Sequence, residues 1–102
     1  TCANQEDPVS MAYYASKKAG AAVRKLQYVT AIEIYVALQA MEFLQPLEPS
    51  PAIAKVRDFL RQTIPFVDND RFLSPDMEYI FDRVQDCSLI DILEAVTGEL
   101  EF

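Results

Sequence analysis

Apolar and small residues recur three and four positions apart along the first half of the chain: Val9, Ala12, Ala19, Val23, Leu26, Ala37, Ala40 and Leu44. That spacing marks one face of a helix. No proline interrupts the stretch between Pro8 and Pro46, so the pattern predicts one long core helix over residues 8–44. Asp7 is its expected N-cap, and Pro8 suits the first helical position, where a missing N–H costs nothing. Such a helix extends about 55 Å at ~1.5 Å per residue. A chain of 102 residues cannot cover that length with a core of its own.

From Tyr28 to Leu44 the polar positions are Thr30, Glu33, Gln39 and Glu42. A helix with a single buried stripe keeps more of its circumference polar than this. Burial on several sides is expected, in a large bundle or an oligomer. A membrane span is the competing explanation, but Glu33, Gln39 and Glu42 break the apolar run too often.

Proline punctuation follows at Pro46, Pro49 and Pro51. Ser50-Pro51 reads as N-cap and first helical residue of a second helix, ending near Thr63, with Ile53, Val56, Phe59 and Leu60 on its inner face. Pro65 to Leu73 is a loop anchored by Phe66, Val67 and Phe72. Ser74-Pro75 repeats the start signal for a third helix. Asp76 and Glu78 there lie favourably against the helix dipole, and Met77, Ile80, Phe81 and Val84 point inward. A fourth helix from Ser88 to Val96 is predicted, with Ser88 and Asp91 approximating a capping box and Gly98 as the C-cap glycine. No segment shows strand alternation, and the expected class is all-α. One very long helix leads three shorter ones in the C-terminal stretch 50–102.

Composition narrows the chemistry. The net charge is −7, which argues against binding a nucleic-acid backbone. The local basic group, Lys17, Lys18, Arg24 and Lys25, reads as a solvated or salt-bridged helix face. Two cysteines, Cys2 and Cys87, are too few for a disulfide framework and read as reduced thiols of a cytoplasmic protein. The chain contains no histidine. A Ser-His-Asp triad and a Cys-His pair are therefore excluded within it, and a zinc site is disfavoured. With Gly20 and Gly98 as its two glycines, it cannot form a glycine-rich phosphate loop. Asp68, Asn69 and Asp70 lack the glycine and the twelfth-position glutamate of a calcium loop and read as a solvated turn. Tyr28 and Tyr35 sit at core spacing, so packing is expected of them. The chain starts at Thr1, and its first methionine, Met11, falls inside the predicted helix; no signal or transit peptide precedes it, and an upstream portion is expected.

The opening seven residues are unusually polar for the mouth of a buried helix. Asp7 alone satisfies the cap, which leaves Gln5 and Glu6 as cap or site. The run Asn4-Gln5-Glu6-Asp7, one intervening residue, then Val9-Ser10-Met11 resembles the Asn-Gln-Glu-Asp-His-Val-Ser-Met segment of histidine ammonia-lyases. Ala31-Ile32-Glu33, Gln39-Ala40, Pro65-Phe66 and Asp70-Arg71 fit the same pattern in order. So does Pro75-Asp76-Met77-Glu78, where that family commonly reads Pro-Asp-Ile-Glu. The resemblance covers residues 1 to about 85 and leaves Gln85–Phe102 unassigned.

The resemblance implies the C-terminal part of an enzyme that eliminates ammonia from an aromatic amino acid; the histidine enzymes make urocanate. Its electrophile, methylideneimidazolone, forms from an internal Ala-Ser-Gly upstream of this segment. Here Ala15-Ser16 is followed by Lys17, so the fragment alone is expected to be inert. The family's base tyrosine also lies upstream, and its role is not carried onto Tyr13 or Tyr14. Glu6 matches the family glutamate that lines the pocket and contacts substrate, and it is the candidate catalytic and substrate-binding residue; Gln5 and Asn4 are the groups expected to orient it and complete the contact. A carboxylate beside a dry pocket can pair with an imidazole or an ammonium, or take a proton. Phenylalanine and tyrosine lyases usually carry glutamine there, because an unpaired carboxylate against an apolar ring is costly. The family's histidine after Glu-Asp is Pro8 here, which keeps the helix start and leaves the substrate open.

Three readings follow: a cytoplasmic histidine ammonia-lyase working as a homotetramer, a tyrosine or phenylalanine lyase or aminomutase, and a non-catalytic helical interaction module. An Ala-Ser-Gly encoded a few hundred residues upstream separates the enzymes from the module.

Overall fold

The computed structural model of the chain describes residues 11–101. Four helices make up the fold: α1 (Ala12–Phe43), α2 (Pro51–Arg61), α3 (Ser74–Gln85) and α4 (Ser88–Thr97). Among the described residues there is no strand, and the expected all-α class holds. The start predicted at Asp7 and Pro8 lies outside the described residues. Helix α1 runs unbroken for 32 residues, about 48 Å at ~1.5 Å per residue.

The C-terminal half of α1 packs along α3, α2 packs along α4, and α3 also touches α4. Ala31, Tyr35 and Leu38 of α1 meet Leu60 of α2, Ile80 and Phe81 of α3, Leu89 of α4 and Ile64 of the α2–α3 loop in one buried cluster. Ala31 is wholly buried; its small side chain lets α3 approach the α1 backbone. Leu38, Leu60, Ile64 and Ile80 are the fully buried large side chains, each contributing roughly 1.5–3 kcal/mol by leaving water.

The helix boundaries follow local chemistry. Leu44 hydrogen-bonds its N–H back to the Met41 carbonyl at 3.2 Å, and Pro46, reached through a cis peptide bond, cannot extend the helix. Ser50 caps α2 as expected: its Oγ accepts from the Ile53 N–H at 3.4 Å, with Pro51 in the first turn. Gly98 ends α4 at φ 82°, a left-handed conformation that costs glycine little.

Two predicted starts differ. Ser74 is the first residue of α3 and not its cap; Leu73 holds the cap position without a side-chain bond. The first-turn carboxylate, Asp76, is instead drawn inward to a tyrosine and an arginine. At α4 the Ser88–Asp91 capping box does not form. Cys87 occupies the cap position in the left-handed region at φ 62°, and the Asp86 carboxylate accepts hydrogen bonds from both the backbone N–H and the hydroxyl of Ser88. Ser88 is the first residue of α4 and not its cap, and its hydroxyl is turned back to donate to Asp86.

Candidate active site

The residues singled out for chemistry, Asn4, Gln5 and Glu6, lie outside the described residues. What the structure does describe is the helix that follows them and how its far end is held. Every residue from Ala12 to Leu26 is exposed. Val23 and Leu26, expected on a buried face, are bare in the single chain, with more than half of each side chain in solvent.

From Tyr28 onward α1 is tied down at four points. The Tyr28 ring stacks on Phe81 with centroids 3.7 Å apart, and the Arg24 guanidinium stands 5.2 Å from the Phe81 centroid, close enough for cation–π attraction. The Tyr28 hydroxyl donates to the Glu78 carboxylate at 3.1 Å. Two turns further on, the Tyr35 hydroxyl donates to Asp76 Oδ2 at 2.6 Å, and Arg71 closes on the same oxygen at 2.6 Å. Next, Gln39 makes a two-way clamp on Val67, donating to its carbonyl at 2.8 Å and accepting from its N–H at 3.2 Å. Last, Arg61 pairs with Glu42 at 3.1 Å while donating to the Leu38 and Ile64 carbonyls. Together these bonds join α1, the end of α2 and the loop before α3.

This network is structural in its chemistry. Burial and the hydrogen bond to Asp76 push the Tyr35 hydroxyl up to about 12. It therefore remains a protonated donor at neutral pH and cannot act there as a base. The hydrogen bond from Arg71 to Asp76 pushes the guanidinium above its ordinary range, so Arg71 stays charged. Sequence reasoning expected Tyr35 merely to pack and Asp76 merely to face the α3 dipole. Asp76 is instead nearly buried and serves as the shared acceptor of two partners. The signal available was its place in the Pro75-Asp76-Met77-Glu78 run.

A hollow of about 460 Å³ runs beside α1 between Ile32, Val36 and Phe43 on one side and Val67, Leu73 and Met77 on the other. Its polar neighbours, Gln39 and Tyr35, already have their partners, so it offers no free acid, base or nucleophile. Lys17, Lys18, Arg24 and Lys25 are exposed on the free half of α1. Cys87 is an exposed free thiol, and Cys2 lies outside the described residues. Among the described residues no His, Cys, Asp and Glu group could hold a metal ion, and no helix is long and apolar enough to cross a membrane.

Comparison with known proteins supplies what the described residues leave open. The family model for aromatic amino acid lyases matches residues 1–62. Histidine ammonia-lyase of Shewanella woodyi is 40% identical over 95 residues, covering 93% of this chain and 19% of the relative. The Symbiobacterium thermophilum enzyme of the same name is 38% identical over 99 residues, 97% of this chain and 20% of the relative. That of Vibrio cholerae is 41% identical over 78 residues, 76% of this chain and 15% of the relative. The chain thus spans about a fifth of the length of the first two relatives. No solved structure matches it.

Proposed function

Since the chain belongs to the aromatic amino acid lyase family, we propose that it is the C-terminal part of a histidine ammonia-lyase. The parent enzyme converts L-histidine to urocanate and ammonia, a step of histidine catabolism. The observation that carries this reading is the likeness at close to 40% identity, over almost the whole chain, to relatives bearing that name. The polar run at Asn4-Gln5-Glu6-Asp7 lies inside the matched residues 1–62.

Glu6 is the residue assigned to substrate. Its carboxylate pairs with the imidazole or the ammonium of histidine, a charge-assisted contact that a glutamine would weaken. Gln5 and Asn4 orient it and complete the polar lining. The methylideneimidazolone of the parent supplies an electrophile, and this chain is not its source. Ala15 and Ser16 lie within the continuous helix α1 and are followed by Lys17, so no Ala-Ser-Gly is present to cyclise. The 102-residue chain is therefore inert by itself. The parent is cytoplasmic and assembles as a homotetramer, which accounts for the apolar residues that α1 leaves exposed. One observation favours a second reading, a tyrosine or phenylalanine lyase or aminomutase: Pro8 stands where histidine ammonia-lyases carry histidine.

The parent protein, assayed with L-histidine by the ultraviolet absorbance of urocanate, is expected to turn over. In that protein Glu6→Gln is expected to reduce activity on histidine far more than any activity on tyrosine. Equal losses on the two substrates remove the histidine assignment, and the absence of any amino acid elimination removes the lyase reading.

A further inference from the structure

We draw no further inference here: the strongest candidate, the apolar hollow of about 310 Å³ lined from all four helices with the exposed Cys87 thiol among its lining residues, is one cysteine beside an unpartnered apolar face, and nothing in the structure shows what covers it.

Discussion

The two halves of α1 belong to one continuous helix but solve different problems. From Tyr28 to Glu42 the helix is fixed by Ala31, Tyr35 and Leu38 in the core and by polar clamps to Glu78, Asp76, Val67 and Arg61. From Ala12 to Leu26 every residue faces solvent, although Val23 and Leu26 are as apolar as their packed counterparts. Helix propensity and an unbroken hydrogen-bond ladder account for the free half locally, while tertiary packing accounts for the held half. An isolated helix of some fifteen residues is marginal in water. The free half therefore depends on continuity with the held half and on whatever covers its apolar side chains.

That contrast can be broken most forcefully in the core. Leu38→Ala removes a fully buried side chain from the junction of α1, α2 and the loop, and a loss of about 2–5 kcal/mol is expected from buried leucine truncations. Val23→Ala, on the free half, is expected to change monomer stability by no more than about 0.5 kcal/mol. Urea denaturation of the two variants side by side measures the difference; comparable losses at both positions contradict the division.

A smaller effect sharpens the contrast at the Tyr35–Asp76–Arg71 link. Tyr35→Phe removes the donor and leaves Asp76 with Arg71, and a loss of about 1.5–3 kcal/mol is expected for a hydrogen bond to a charged group. The same hydroxyl gives a pH signature. Its folded value is raised from 10.0 to about 12, so the folded state holds the proton more tightly than the unfolded state. The resulting stabilisation is complete below pH 10 and is lost as pH rises toward 12. Denaturation midpoints measured across that window are expected to fall more steeply in the native chain than in Tyr35→Phe; identical slopes dissociate the hydroxyl from alkaline stability.

The fold was largely legible in the pattern of residues. The long helix showed in spacing and in the absence of proline, and the later helices showed in Ser50-Pro51, Pro65, Ser74-Pro75 and Gly98. What escaped were features set by distant partners. Ser74 does not cap α3, and the carboxylate two positions on binds Tyr35 and Arg71, a contact spanning 41 residues. Ser88 was an acceptable cap by type, but the helix starts at Ser88 itself and Cys87 takes the cap position. Burial on several sides of α1, expected from Tyr28 to Leu44, is seen on one face only in the single chain: Ala31, Tyr35 and Leu38 are buried, while Val29, Ile32, Val36 and Phe43 stay exposed, as do Val23 and Leu26 on the other half. The candidate site was legible only as a run of letters. Asn4, Gln5 and Glu6 are polar beyond what a cap needs, and their order, not their spacing, links them to the lyases.

Amide hydrogen exchange along α1, at a concentration low enough to keep the chain monomeric, tests the central division most directly, because protection reports local opening residue by residue. Amides from Ala31 to Leu38 are expected to exchange far more slowly than those from Ser16 to Arg24, with the change in rate falling near Tyr28. Uniform protection from Ser16 to Leu38 in the monomer contradicts the account.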